Sequence, residues 1–204
     1  MSEAREKQLI VILGGARSGK SSFAQDLARR MGRRVTFIAT AQAGDDEMLR
    51  RIEEHRRARP GHWRTVEAPL HVADVLREHC DGAEVVVLDC VTLLVSNLLL
   101  EKEQQACQPE TEAHVMAEVE RLLRAFEDGA ASLIVVSNEA GMGLVPPYPL
   151  GRVYRDLLGK ANQTLARAAA QVYWMLAGLP VEIKASGLAG VPHHLNEKER
   201  DGET

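Results

Sequence analysis

The sequence predicts an α/β domain: a mostly parallel sheet, covered by helices on both faces and closed by an antiparallel strand pair. Three observations lead there. Four short apolar runs, at residues 9–13, 35–39, 84–89 and 132–137, read as strands buried on both faces. Stretches of helical periodicity separate them, and that alternation implies right-handed crossovers between parallel strands. The 204 residues suit one compact domain with a sizeable core.

Leu9-Ile10-Val11-Ile12-Leu13 is the first strand, broken by the glycine-rich residues 14–21. Phe23, Leu27 and Met31 recur at helical spacing over 22–31, and Gly32 stops that helix. Val35-Thr36-Phe37-Ile38-Ala39 is the second strand. Asp45-Asp46-Glu47 places carboxylates where a helix macrodipole favours them. That helix runs through Met48, Leu49 and Ile52 towards Arg59 and ends at Pro60. A short strand over 63–66 and a helix over 70–80 precede the third buried strand, which ends on Asp89. There follow a helix over 91–100, a polar surface loop over 101–109, and an amphipathic helix over 112–128 with Val115, Val119, Leu122, Leu123 and Phe126 on one stripe. Beyond the fourth strand, a loop rich in Gly and Pro leads to a long helix over 150–170, and 172–177 with 181–184 form the closing pair. Residues 2–7 read as a frayed terminus and 185–204 as a flexible polar tail, so the single catalytic domain is expected over 1–184. No internal repeat is present.

A formal charge of -4 removes the bulk attraction to phosphate that nucleic-acid partners exploit. The three cysteines, Cys80, Cys90 and Cys107, are odd in number and lack C-x-x-C spacing. They predict neither a disulfide framework nor a cysteine zinc site. His62, His71, His79 and His114 show no metal-ligand spacing, and His193 and His194 fall in the tail. The first apolar run leads into Gly-Gly rather than a cleavage site, and the longest apolar stretches are about half the length that spans a bilayer. A cytoplasmic protein without a membrane span is expected.

Gly14-Gly15-Ala16-Arg17-Ser18-Gly19-Lys20-Ser21 satisfies G-x-x-x-x-G-K-[ST] between a strand and a helix. The glycines permit a tight backbone whose N–H groups surround an anion at the positive end of a helix. Lys20 reaches terminal phosphates, and the Ser21 hydroxyl is a candidate ligand for Mg²⁺. Asp89, ending a buried strand, is the partner acid for that metal, or else a cap for the next helix. The motif predicts binding of a nucleoside triphosphate.

Residues 50–59 carry five arginines against two glutamates around His55. Guanidinium groups bind phosphate oxygens in bidentate fashion. His55 lies three residues after Ile52 and seven after Met48, so it shares their helix face. Two readings stand: a histidine half-packed on the core behind a salt-bridged arginine face, or a nucleophile. A neutral imidazole is available near pH 7, and its attack on phosphorus gives a phosphoramidate.

Several stretches occur together: Gly-Gly-Ala-Arg-Ser-Gly-Lys-Ser (14–21), Ile-Ala-Thr-Ala-Gln (38–42), Asp-Asp-Glu-Met (45–48), Arg-Ile-Glu-Glu-His-Arg-Arg-Ala-Arg-Pro (51–60), His-Trp-Arg-Thr-Val-Glu (62–67), Asp-Cys-Val-Thr (89–92), Ser-Asn-Glu-Ala-Gly-Met-Gly-Leu-Val-Pro (137–146) and Tyr-Arg-Asp-Leu-Leu-Gly-Lys-Ala-Asn-Gln (154–163). Over residues 9–184 the chain resembles the bifunctional adenosylcobinamide kinases and adenosylcobinamide-phosphate guanylyltransferases of cobalamin biosynthesis.

The resemblance implies a RecA-like phosphate-loop NTPase fold, a three-layer sandwich, and two reactions. ATP or GTP phosphorylates the hydroxyl of adenosylcobinamide. GTP then guanylylates a histidine, releasing pyrophosphate, and GMP passes to adenosylcobinamide phosphate to give adenosylcobinamide-GDP. Carried over by position, His55 is the guanylylated histidine, since Glu54 precedes it. Lys20 is catalytic, and the nucleotide contacts are Gly14 to Ser21, Ala39, Thr40, Ala41, Arg56, Arg57, Ala58, Arg59, Glu67 and Asp89. Mg²⁺ on Ser21 and Asp89 is the implied cofactor, and a homo-oligomer, a trimer with the corrinoid between subunits, the implied assembly. Asn138-Glu139 follows the fourth strand, where open α/β sheets bind ligands; Glu139 is a candidate metal or substrate contact, or else part of a structural turn fixed by Gly and Pro. A single-activity kinase of another hydroxyl substrate, with His55 structural, is the alternative.

Overall fold

The structure is a computed structural model, and the residues described are 6–42, 44, 46–57, 59–102, 106 and 108–184. Cys107, Ala58 and the expected tail lie outside them. The elements in chain order are β1 (Leu9–Gly14), α1 (Lys20–Met31), β2 (Val35–Ala39), α2 (Asp46–Arg57), β3 (Arg64–Glu67), α3 (Val72–His79), β4 (Val85–Asp89), α4 (Val91–Glu101), α5 (Pro109–Asp128), β5 (Ser132–Val136), α6 (Pro149–Ala168), β6 (Gln171–Leu176) and β7 (Leu179–Glu182).

The strands form one sheet in the order β3-β2-β4-β5-β1-β6-β7. Every pairing is parallel except β6 with β7, which is antiparallel. Alternation of side chains divides the core between the two faces. Leu9, Val11, Val86, Leu88, Leu133 and Val135 pack with residues of α3 to α6, among them Leu94, Val115 and Leu158. Ile10, Ile12, Val85, Val87, Ile134 and Val136 face the other way, against Ala24 and Ala28 of α1. Strands this apolar on both sides cannot be left uncovered, so the expected layering of helices on both faces follows. The order has a functional corollary: β5 separates β1, which leads into the phosphate loop, from β4, which ends on Asp89.

Gly32 ends α1 as expected, in extended backbone with φ -165°. Its small size serves a different purpose: a Cβ there would stand 2.8 Å from the Glu84 Cβ. Lys7 is not frayed. Its ammonium donates to the carbonyls of Phe126, Glu127 and Gly129 at 2.9–3.0 Å and lies 4.7 Å over the Phe126 ring. A cation at the carboxyl end of α5 meets the negative pole of that helix.

Helix α2 departs most from expectation. Leu49 is 45% exposed. Among the described side chains of α2, none belongs to either core, and only Ile52 is half-buried. The described apolar side chains of the stripe, Leu49 and Ile52, therefore do not seat the helix on the body; the Met48 side chain lies outside the described residues, and His55 is exposed. Periodicity predicts the helix correctly; it does not require that a partner surface exist.

Candidate active site

The carboxyl ends of the parallel strands assemble the site. Register places Glu67, Ala39, Asp89 and Val136 in one row across β3, β2, β4 and β5. Adjacent strands lie about 4.8 Å apart, so residues from four distant segments share one edge.

The phosphate loop joins β1 to α1 at the neighbouring position. Gly14 has φ 150°, and a Cβ on it would lie 2.7 Å from the Met175 carbonyl oxygen and 2.9 Å from Ser18 Oγ. Both facts demand glycine. Arg17, at φ 56°, turns the chain back, and Ser18 N donates to the Gly15 carbonyl at 3.3 Å. Gly15, Ala16 and Arg17 form the exposed crown of the loop. Gly19 precedes the first turn of α1 without a side-chain cap, a helix start whose amides suit an anion. Lys20 is only 7% exposed, and its ammonium donates to the Gly15 carbonyl at 2.5 Å and to Ser18 Oγ at 3.4 Å. Burial lowers its pKa, while Cys90 and Asp89 nearby oppose that.

The turn between β6 and β7 braces this loop. Ala177 and Gly178 both have positive φ, 51° and 84°, as a two-residue hairpin requires. Gly178 N donates to the Ser18 carbonyl at 3.1 Å. Sequence reasoning placed the hairpin but gave it no role, because nothing local says where its tip will land.

Asp89 is the electrostatic centre. Desolvation raises its pKa; the Ser21 hydroxyl that donates to it, and the charges of His55, Arg59 and Lys20, hold it down. Residues from the phosphate loop and from α2 therefore act on one carboxylate. Arg59 follows α2 and lies with its guanidinium carbon 3.7 Å from the centre of the Phe37 ring on β2. Its Nε is buried without a partner. Burial lowers the Arg59 pKa, and Asp89 and Glu67 work against that. Arg56 pairs with Glu67 at 3.0 Å, with both side chains more than half exposed, which contributes little to stability. Arg57 instead reaches along its own helix to Glu53 at 3.2 Å. Ala58 lies outside the described residues.

Thr40 is fully buried. Its hydroxyl accepts from the Cys90 amide at 2.8 Å and donates to the Cys90 carbonyl at 2.7 Å, fixing the backbone just after Asp89. Asn97 Nδ2 donates to the carbonyls of Thr40 and Pro69 at 3.0 and 2.9 Å, tying together the chain beyond β2 and β3. A lone amide within the apolar run 91–100 was the available signal, since polar groups placed in a core take hydrogen-bond partners. Ala41 is half-buried beside this knot. Burial pushes the Cys90 thiol up to about 11, which leaves it protonated and inert at neutral pH.

The two adjacent glycines of the loop should respond differently to substitution. Gly14→Ala places a methyl against the Met175 carbonyl and should lower stability by about 1–3 kcal/mol, with loss of nucleotide binding. Gly15→Ala has nothing within 4 Å, so its stability should stay within about 0.5 kcal/mol of the parent. Thermal melts and nucleotide titration of the pair check this.

Among the described residues, no helix is long and apolar enough to cross a membrane. Residues 10–183 match the family described as cobinamide kinase / cobinamide phosphate guanyltransferase. The bifunctional adenosylcobalamin biosynthesis protein CobP of Pseudomonas aeruginosa is 45% identical over 178 residues, covering 87% of this chain and 98% of that protein. The corresponding CobU proteins of Escherichia coli and Salmonella typhimurium are 42% and 38% identical over 181 residues, each covering 86% of this chain and 99% of the relative. The crystal structure of the RadB recombinase aligns with a TM-score of 0.47 at 16% identity, over 82% of this chain and 73% of that one. A phosphate loop facing an acid across an interposed strand, with matches of this extent, has one conclusion: the chain belongs to the cobinamide kinase / cobinamide phosphate guanyltransferase family and is a bifunctional transferase.

Proposed function

We propose that this chain phosphorylates the hydroxyl of adenosylcobinamide with ATP or GTP, and then transfers GMP from GTP to the resulting phosphate through a covalent adduct on His55. The convergence on Asp89 carries the reading. Ser21 of the phosphate loop donates to it, and His55 and Arg59 from the far side bear on the same carboxylate.

In the guanylyl step, the imidazole nitrogen attacks the α-phosphorus and the bond to the β-phosphate oxygen breaks. Pyrophosphate leaves into the phosphate loop, where Lys20 and the amides opening α1 stabilise its charge. Arg56 and Arg59 neutralise the α-phosphate while the adduct forms. An alcohol phosphate then displaces the imidazole, giving adenosylcobinamide-GDP. In the kinase step the same loop holds the γ-phosphate towards the acceptor hydroxyl. His55 is exposed on a helix that neither core holds, which supports a motion of α2 between the two steps.

Ser21 and Asp89 fit Mg²⁺: they are adjacent oxygen donors, and this ion keeps most of its coordination for water and phosphate. Bound there, Mg²⁺ would neutralise polyphosphate charge. Exposed Leu144, Tyr148, Leu176 and Leu179 support a homo-oligomer; that it is a trimer in the cytoplasm, with residues 1–184 as one catalytic domain, rests on the resemblance.

GTP labelled at the α-phosphate should leave acid-labile, alkali-stable label on the parent protein. His55→Ala should reduce that label to background and keep measurable kinase activity. Label retained by the variant would overturn the role of His55. Lys20→Ala should lower both activities by about a hundredfold or more; full activity would contradict the phosphate-loop assignment.

Asp89 also gives a pH prediction. Its folded-state pKa lies above the unfolded value. Over that interval the folded state binds more protons, so stability falls as pH rises, and above it the full cost of the buried charge is present. Without nucleotide, Asp89→Asn should therefore melt higher than the parent at pH 7 while losing activity. The gap should close as pH falls below the unfolded carboxylate pKa. A lower melting temperature for the variant at pH 7 would refute this.

A further inference from the structure

A cleft of about 500 Å³ opens beside the phosphate loop on the face opposite α1, lined by Leu13, Glu139, Gly141, Arg155, Gly159 and Asn162 among others. The end of β1, the segment after β5 and one side of α6 enclose it. Nothing in the nucleotide chemistry derived above uses these residues.

Four features of the cleft point to a ligand. The Glu139 backbone amide donates to the Gly14 carbonyl at 3.1 Å, which fixes this residue at the root of the phosphate loop. One of its carboxylate oxygens accepts from Gly141 N at 2.6 Å, and among the described residues the carboxylate forms no ion pair. Asn162 is 4% exposed; its Nδ2 donates to the Asn138 carbonyl at 2.9 Å, but its amide oxygen is buried with no partner. The Asn138 amide in turn donates to Thr92 Oγ1 at 2.7 Å, so the chain entering Glu139 is clamped from two sides.

Gly159 is the fourth. It lies inside α6, where glycine weakens a helix, yet a Cβ there would meet nothing within 4 Å. Gly151 in the same helix has an internal reason, since its Cβ would fall 2.5 Å from the Tyr148 ring. Among the described residues no atom explains Gly159, and the open space beside it leaves room for a bound molecule to approach closely.

We infer that this cleft seats the hydroxyl end of the acceptor alcohol in the kinase step, with Glu139 as the general base. This rests on the kinase half of the function proposed above. The free carboxylate oxygen of Glu139 selects a ligand that brings an O–H or N–H donor, as an alcohol does, while the unpartnered Asn162 oxygen is buried in the lining. The free carboxylate oxygen of Glu139 takes the hydroxyl proton while the alcohol oxygen bonds to the γ-phosphorus. The bond from that phosphorus to the β-phosphate bridging oxygen breaks, and its electron pair leaves with the nucleoside diphosphate. Gly159 leaves room for the bulk behind the hydroxyl.

Two variants of the full chain test this, each assayed for adenosylcobinamide phosphorylation and, separately, for self-labelling by α-labelled GTP, which needs no acceptor. Glu139→Gln should lower kcat of the kinase by about a hundredfold or more and remove the acidic limb of its pH profile, with self-labelling intact. Gly159→Phe should melt no lower than the parent and lower kcat/KM for the acceptor by about a hundredfold, again with self-labelling intact. A full kinase rate in Glu139→Gln, or an unchanged acceptor kcat/KM in Gly159→Phe, would overturn the assignment alone. So would equal loss of labelling and kinase activity, which marks damage to the phosphate loop, or a change of sedimentation as the sole effect of Gly159→Phe. A parent protein that labels itself but never phosphorylates adenosylcobinamide would remove the kinase reading, and this assignment with it.

Discussion

The carboxylate of Asp89 is the constraint around which the rest is arranged. A charge at the end of a buried strand is expensive to ionise, and burial is the largest influence on it. The molecule offsets that with the Ser21 hydroxyl and with cationic groups from two directions. It also fixes the backbone beside it through the reciprocal hydrogen bonds of Thr40 and Cys90. A site that needs a negative charge to hold a cation and balance basic side chains carries an intrinsic cost to folding. Binding relieves that cost, because each cation brought to the carboxylate favours its ionised form.

Much of the fold was legible because strands buried on both faces leave a sharp record: runs such as 9–13 and 132–137 have no polar face to hide. The phosphate loop was legible for a related reason, since its glycines and Lys20 answer to local geometry. The support of the loop was not. Gly178 and Met175 touch it only because β6 pairs with β1, and that adjacency is a property of the sheet order, not of any window of sequence. Asn97 had a partial signal, as an amide among leucines and valines, but its partners at Thr40 and Pro69 come from two other elements.

Helix α2 shows the opposite kind of miss. Its periodicity identified it, and its apolar residues suggested a packed face that the body does not supply. Among the described residues, the contacts that tether the helix lie at its carboxyl end: Arg59 over Phe37 and Arg56 with Glu67. An exposed ion pair and a cation over a ring are weak and exchangeable interactions. They suit the role proposed for α2 as carrier of His55, where firm packing would resist displacement.

The closing hairpin has a consequence for how molecules of this kind meet. Met175 and Pro180 face each other one step beyond the pair that closes the two-residue turn, so position 180 directs its backbone nitrogen away from β6. Proline there has no N–H to offer, so a strand from another chain would lose one ladder hydrogen bond at this position. That weakens pairing along a margin where Leu179 and Val181 stand exposed. A neighbour recruited to this rim depends more on side chains than on a continued sheet, which disfavours fibrous growth.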